Sequence, residues 1–283
     1  MSIKTCISFD VGIRHLAYIK WQVKTNNIKN ISWQDITIVE WKCIDLLIFN
    51  GLEHVQNCKK YGITKLIHFL VVFLKSQSSV FLDPMLDYIV IEKQVSKSPR
   101  NQMMMVALYM FFYLEQRQGI NITIVPALEK FKLVHFLKDS ICTFVPRLDS
   151  ILKQSSNKLV LCYPDTCKTA SQKKTWRKNQ SIDICKLVMN TYSQFQPWKE
   201  QFLFKKTKKE TKKRKQISTI TTPLPSSSQH PLTNTKKIKL DDLSDCWLQA
   251  MTFTFFHSGF HKPKPTSTTP TTIIKNKIKK KQK

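Results

Sequence analysis

Residues 7–12 read Ile-Ser-Phe-Asp-Val-Gly, and the interpretation of the whole chain starts from this segment. Residues 3–9 alternate and then become continuously apolar, which is typical of a β-strand leading into Asp10. Gly12 follows where a tight turn is needed, and glycine suits such a turn because it has no Cβ. Taken alone, Asp10 is better explained as a turn residue than as a functional carboxylate.

Two further acidic motifs follow. Residues 88–94 read Tyr-Ile-Val-Ile-Glu-Lys-Gln, a short apolar strand that ends at Glu92. Residues 239–247 read Lys-Leu-Asp-Asp-Leu-Ser-Asp-Cys-Trp and open a predicted amphipathic helix over residues 241–257. Residues three or four apart share a helix face, so Asp245 can act with Asp242 or, as the alternative, with Asp241.

Each acidic residue also has a simpler explanation. Glu92 could form a surface ion pair with Lys93, and Asp241 or Asp242 could be only the N-cap of the last helix. Together, the motifs predict a divalent-metal site formed by Asp10, Glu92, Asp242 and Asp245. Mg²⁺ prefers oxygen ligands, and Mn²⁺ is a possible substitute. Two-metal hydrolysis needs several carboxylates on rigid elements around ions about 3.5–4 Å apart.

The order of elements predicts an α/β fold with a mixed sheet flanked by helices. Residues 103–114 are apolar on nearly every side, so this helix is either central to the core or part of a subunit interface. The other predicted strands cover residues 16–23, 31–41 and 120–125, and the other predicted helices cover residues 63–75 and 181–195.

The charge of the chain points to a polyanionic partner. The 283 residues carry a formal net charge of +27. Residues 199–239 contribute +10 and residues 262–283 contribute +8, which leaves +9 on the rest of the chain. Composition therefore predicts a folded domain made of residues 1–198 and 240–261. It also predicts a disordered Lys/Ser/Thr/Pro-rich insertion at 199–239 and a basic disordered tail at 262–283. Flexible polycations raise affinity for any nucleic acid, and residues 205–215 could equally be a nuclear localisation signal.

Three motifs together resemble those of RuvC-like Holliday junction resolvases, in particular the poxvirus and yeast mitochondrial branch. They are Ser-Phe-Asp-Val-Gly-Ile-Arg-His-Leu-Ala-Tyr at residues 8–18, Ile-Val-Ile-Glu-Lys-Gln at 89–94 and the acidic motif from residue 239. The resemblance implies a ribonuclease-H-like fold, a homodimer, and Mg²⁺-dependent symmetric nicking of four-way DNA junctions. It implies that Asp10, Glu92, Asp242 and Asp245 bind the metal, with Asp241 ambiguous. His15 departs from the pattern, since Asn is favoured there in the family.

The resemblance also implies a catalytic or phosphate-contacting lysine before the last helix. The basic segment 173–181 matches this expectation, and we assign Lys174 and Lys178, with Lys173 and Arg177 as DNA contacts. Ser181 is the predicted N-cap of the following helix, whose N-terminus could also receive a phosphate. A solvated charged loop explains this segment equally well.

Arg14 and Arg100 lie close in sequence to the first two motifs and could hold phosphates, with a simple surface role as the alternative. The pair His257 and His261 has a zinc-like spacing, but no Cys pair accompanies it, so a zinc site is disfavoured. The chain has eight cysteines and no Cys-x-x-Cys pair, which favours free thiols in a reducing compartment.

The apolar stretches fall short of the roughly 20 residues that a membrane span needs. We therefore expect an intracellular protein without a membrane partner. The resemblance and the absence of a transit-peptide pattern favour a viral replication site in the host cytoplasm, or the nucleus, over the mitochondrion.

Three functions stay open at this point: a junction-resolving endonuclease, an RNA–DNA hybrid or other nuclease of the same fold, and a non-catalytic basic DNA-binding protein. The carboxylates alone cannot separate the first two functions. The third explains the charge but not the ordered acidic motifs.

Overall fold

The computed structural model describes residues 2–25, 31–52, 57–95, 97–115, 120–133, 137, 152–155, 158–161, 163–203 and 239–256. At its centre is a five-stranded sheet in the order β3-β2-β1-β4-β5. The strands are β1 (Ser2–Val11), β2 (His15–Thr25), β3 (Ile36–Asp45), β4 (Leu86–Lys93) and β5 (Asn121–Pro126). A separate antiparallel pair is formed by β6 (Leu152–Ser155) and β7 (Lys158–Leu161).

The first three strands form an antiparallel meander, whereas β4 and β5 run parallel to β1. This arrangement confirms the predicted α/β class with a mixed sheet flanked by helices, and it is consistent with the expected ribonuclease-H-like fold. The helices are α1 (Leu46–Phe49), α2 (Ile63–Ser76), α3 (Ser78–Phe81), α4 (Pro99–Glu115), α5 (Ala170–Thr191), α6 (Gln196–Leu203) and α7 (Leu240–Phe256), with a 3-10 helix at Glu129–Lys132.

Both faces of the sheet are covered. Alternate residues of β1 point to opposite faces, so Cys6 belongs to one core and Ile7 and Phe9 to the other. Helices α2 and α4 pack on the side of Phe9, and α5 and α7 pack on the side of Cys6. The central strands are therefore apolar on both faces, as expected for strands with helices on either side.

Helix α7 is held firmly against the meander. Its Trp247 stacks on Trp33, with ring centroids 5.9 Å apart and an interplanar angle of 5°. The indole of Trp41 donates a hydrogen bond to the Leu243 carbonyl at 3.2 Å, and the indole of Trp21 donates one to Thr254 Oγ1 at 2.9 Å. These contacts fix the acidic N-terminal turns of α7 relative to the sheet.

Helix α5 corrects one prediction. It begins at Ala170 rather than at Ser181, and Thr169 is its N-cap in a capping box with Gln172. Ser181 is buried inside the helix, and its hydroxyl donates to the Arg177 carbonyl. A phosphate site at a helix start near Ser181 is therefore wrong. The apolar stripe that predicted the helix begins late because the first three turns are largely polar.

The segments on either side of the predicted insertion belong to one body, because α7 packs on strands that precede it in the chain. Helix α6 extends to Leu203, and residues 204–238 and 257–283 lie outside the described residues, as do His257 and His261. Within the described ranges, no helix is both long and apolar enough to cross a membrane.

Candidate active site

Asp10 and Glu92 are brought together by the parallel pairing of β1 with β4. Phe9 is in register with Ile91, so the next residue on each strand is one of the two acids. Their side chains hydrogen-bond to each other. Burial, with the adjacent charge of Glu92, raises the pKa of Asp10 well above its ordinary value. Burial acts on Glu92 in the same direction, but the charge of Lys130 and hydrogen bonds from Asp10 and Lys130 leave its pKa below the ordinary value. The two pKa values are therefore driven apart, and a hydrogen-bonding proton between the two carboxyl groups favours Asp10.

The three aspartates of α7 have different partners. Asp245 lies with Glu92 along one cavity, and its Oδ2 is 2.9 Å from Lys130 Nζ. Asp242 lies with Asp10 along a second cavity, and its Oδ2 is 3.3 Å from Lys239 Nζ. Asp241 forms an ion pair with Lys178 instead. Of the two predicted pairings, the structure therefore directs Asp242 and Asp245 towards the strand ends.

The pKa values of Asp241 and Asp242 move in opposite directions. Burial raises the pKa of Asp242, and the neighbouring charge of Asp241 acts in the same direction. Burial also acts on Asp241, but the hydrogen bond from Lys178 and its charge bring that pKa below its ordinary value. Asp241 is therefore the better neutralised of the two carboxylates.

Lys130 is a site residue that sequence reasoning missed. It lies in the 3-10 helix after β5, is 8% exposed, and its Nζ is 3.0 Å from Glu92 Oε1 as well as 2.9 Å from Asp245 Oδ2. Burial lowers the pKa of this ammonium, but the charges of Glu92, Asp245 and Asp10 outweigh burial and raise it. The sequence alone carries no signal for this lysine, because its approach to Glu92 depends on the pairing of β5 with β4.

Two cavities flank the carboxylates, and the basic face of α5 lines both of them. The cavity beside Glu92 and Asp245 has a volume of about 180 Å³, and the cavity beside Asp10 and Asp242 has about 280 Å³. Lys174 and Lys178 line both cavities, and Arg177 lines the smaller one. Residues at these spacings share one helix face, so the predicted cations are brought to the acidic cluster by a helix rather than by a loop.

Three other predicted cations are placed differently. The ammonium of Lys173 lies 5.3 Å from the centroid of the Tyr163 ring, and Lys173 lines neither cavity. Arg14 lines the larger cavity, but its Nε donates to Asp45 Oδ2 at 2.7 Å. Arg100 donates to the Tyr61 carbonyl and lines neither cavity.

The turn after β1 shapes the larger cavity. The Gly12 amide donates to the His15 carbonyl at 2.8 Å, and a Cβ on Gly12 would lie 2.9 Å from that oxygen. This close approach explains the glycine. His15 lines the same cavity, and burial together with the charge of Lys239 lowers its pKa to about 4. His15 is therefore neutral at pH 7.

The donor types suit a hard divalent cation. Carboxylate oxygens are the ligands that Mg²⁺ and Mn²⁺ prefer. Asp245 Oδ1 is buried, and no described residue donates a hydrogen bond to it, so its lone pairs are available to a cation. Within the described ranges, however, no three His, Cys, Asp or Glu side chains converge as a ready-made metal site. The ammonium of Lys130 lies between Glu92 and Asp245 instead.

Known structures provide a comparison. The fowlpox virus resolvase in complex with Holliday junction DNA is similar, with 16% identity and a TM-score of 0.42 over 88% of this chain and 95% of that chain. T. thermophilus RuvC in complex with a Holliday junction substrate has 6% identity and a TM-score of 0.32 over 54% of this chain and 85% of that chain. The yeast mitochondrial Holliday junction resolvase has 17% identity and a TM-score of 0.33 over 48% of this chain and 56% of that chain.

These three proteins represent the same group that the sequence motifs resemble. No protein-family model matches the chain, and no curated protein sequence matches it significantly.

Proposed function

We propose that this protein is a divalent-metal-dependent endonuclease that cleaves four-way DNA junctions, acting in DNA recombination or replication. The observation that carries the proposal is the buried, hydrogen-bonded pair of Asp10 and Glu92, which two aspartates of α7 and the basic face of α5 flank. Buried carboxylates that share a proton are costly, and such clusters occur where a cation or a reaction requires them.

Asp10, Glu92, Asp242 and Asp245 would hold Mg²⁺, or Mn²⁺ in its place. When bound, the metal supplies Lewis-acid activation of water and stabilises the leaving oxygen. The other residues act on the substrate. Lys174, Lys178 and Arg177 bind DNA phosphates beside the carboxylates, because these cationic residues line the flanking cavities.

The motif resemblance supports a four-way junction as the substrate. The net charge of +27 supports a nucleic acid more generally, since lysines and arginines neutralise phosphates and release counterions. Affinity should therefore fall steeply as the salt concentration rises.

We further propose a homodimer, because resolving a junction needs two cuts in opposed strands. The buried side of α4 packs on the core, but the opposite side carries an apolar stripe at heptad-like spacing. The stripe residues are Met103 (47% exposed), Val106 (51%), Met110 (40%) and Tyr113 (63%). Apolar residues repeated along one exposed face are typical of an interaction site.

Light scattering would test the dimer. A Val106→Asp/Met110→Asp variant should be monomeric if α4 forms the interface. Val72→Asp is a matched control, because Val72 is also an exposed apolar residue on a helix. A variant that stays dimeric would remove α4 from the interface.

Six cysteines in the described ranges, including buried Cys6, Cys185 and Cys246, are free thiols. They support the proposal of a reducing compartment, such as a viral replication site in the host cytoplasm or the nucleus.

The decisive experiment incubates the protein with a labelled four-way junction in Mg²⁺, beside an Asp10→Asn/Glu92→Gln variant. We expect paired symmetric nicks that the variant does not make. A plain duplex and an RNA–DNA hybrid serve as comparison substrates, and preferred cleavage of the hybrid would replace the junction assignment. Tight binding by both proteins without cleavage in any divalent metal would identify a non-catalytic DNA-binding protein.

A further inference from the structure

The ammonium of Lys130 lies where a metal ion would be expected. Its Nζ contacts Glu92 Oε1 at 3.0 Å and Asp245 Oδ2 at 2.9 Å, and both contacts are largely shielded from water. The backbone of Lys130 is fixed to α7, because Thr252 Oγ1 donates to the Lys130 carbonyl at 2.9 Å. One of the chain's own lysines therefore supplies a positive charge between two carboxylates of the cluster.

This cation explains why the acids do not form a ready-made metal site. Buried carboxylates need a compensating positive charge, and removal of that charge is strongly destabilising. Lys130 supplies the charge by spanning Glu92 on β4 and Asp245 on α7. A divalent ion that used the same two carboxylates would compete with the ammonium for their oxygens.

We propose that Lys130 is an exchangeable counter-ion, which neutralises Glu92 and Asp245 in the metal-free protein and releases them when a divalent metal binds. This inference rests on the proposed function, in which the carboxylates bind a metal. It implies that Lys130 lowers the metal affinity of the DNA-free protein.

The cavity beside Glu92 and Asp245 could accept the ammonium of Lys130 after its release. Lys130 lines the 180 Å³ cavity together with Lys174, Arg177 and Lys178. A DNA phosphate in this cavity would offer the ammonium a new anionic partner. Metal and DNA should therefore bind cooperatively, because each favours the same displaced position of Lys130.

Calorimetric titration of Mn²⁺ into the DNA-free protein tests this inference. The variants are Lys130→Met, Glu92→Gln and Lys132→Met. Lys132 is a matched control, since it lies in the same 3-10 helix but pairs with partly exposed Glu129 at 3.4 Å. We expect Lys130→Met to tighten Mn²⁺ binding by roughly tenfold, a common size for coupling between sites. Lys132→Met should leave the affinity unchanged, and Glu92→Gln should weaken it.

The outcomes separate the two proposals. Equal or weaker Mn²⁺ binding by Lys130→Met, with normal binding by the wild type, would overturn the exchange. Absence of Mn²⁺ binding by both the wild type and Lys130→Met would instead overturn the metal site itself.

A second measurement avoids substitution, in case Lys130→Met does not fold without metal. The wild-type protein is acetylated at its amines with and without saturating Mg²⁺, and each lysine is quantified by mass spectrometry. We expect Mg²⁺ to increase acetylation of Lys130 several-fold and to leave Lys132 unchanged. Constant acetylation of Lys130 at metal saturation would contradict its release.

Discussion

The acidic and the cationic halves of the candidate site are held in place by different means. Asp10 and Glu92 end buried neighbouring strands, and Asp245 lies on a helix that is anchored by Trp247. Lys174 lies in the exposed first turns of α5, and Lys178 is half-buried one turn further along the same helix face. The acids are thus positioned by main chain and core packing, which suits groups that must meet within a few ångströms. The α5 cations are positioned by long side chains, which suits contact with a flexible polyanion.

The comparison predicts that substitutions of two adjacent aspartates, Asp242 and Asp241, have very different effects on the cleavage rate. Asp242→Asn should slow junction cleavage in Mg²⁺ by roughly 10²- to 10³-fold, because a metal-ligating carboxylate supports several kcal/mol of charge stabilisation. Asp241→Asn should slow it by less than about tenfold, because Asp241 pairs with Lys178 rather than facing Asp10. Single-turnover cleavage rates measure both effects. Equal losses would mean that the two carboxylates act together.

The anchoring of α7 predicts a stability difference between two tryptophans. Trp247→Ala should lower the free energy of unfolding by about 3–5 kcal/mol, because it removes a fully buried ring from the core. Trp176→Ala, on α5, should cost clearly less, since Trp176 is only partly buried against the same core. Urea unfolding followed by circular dichroism gives both values. A similar cost for both would show that α5 is anchored as firmly as α7.

The basic face of α5 predicts a third difference. Lys174→Ala/Lys178→Ala should weaken junction binding roughly tenfold or more, and should lower the slope of log affinity against log salt by about two. Lys173→Ala should change the slope less, because Lys173 lies over Tyr163 and lines neither cavity. Fluorescence anisotropy over a salt series measures the slopes. A larger effect at Lys173 would place the DNA on another face of the helix.

The smallest predicted effect concerns pH and His15. Its pKa is about 4 in the folded protein, lowered chiefly by burial, and near 6.5 in the unfolded chain. Below pH 6.5 the unfolded chain therefore binds a proton that the folded protein does not, so stability falls as pH decreases towards 4. Between pH 7 and pH 5, the free energy of unfolding of the His15→Asn variant should therefore fall by about 1 kcal/mol less than that of the wild type, after allowance for the partial exposure of His15. Urea unfolding at both pH values tests this, and identical losses in both proteins would contradict it.

Much of the fold could be predicted from periodicity. The apolar strands ending at Asp10 and Glu92, the helix over residues 63–75 and the acidic last helix all agree with the structure within a few residues. The start of α5 could not be found from an apolar stripe, because its first turns are polar. Thr169 and Gln172 did carry a capping-box signal that would have placed the start correctly.

The sequence by itself determined which carboxylates sit at strand ends and on one helical turn, because strand and helix periods fix the direction of side chains locally. Only the tertiary structure decided which cations meet them. Strand pairing brings Lys130 to Glu92, which is 38 positions away in the sequence. Helix packing brings it to Asp245, which is 115 positions away. Likewise, Arg14 and Arg100 lie near the motifs in sequence yet bond to Asp45 and Tyr61. Long cationic side chains pair with the acceptors that lie closest to them in the folded structure, and spacing along the sequence does not determine that distance.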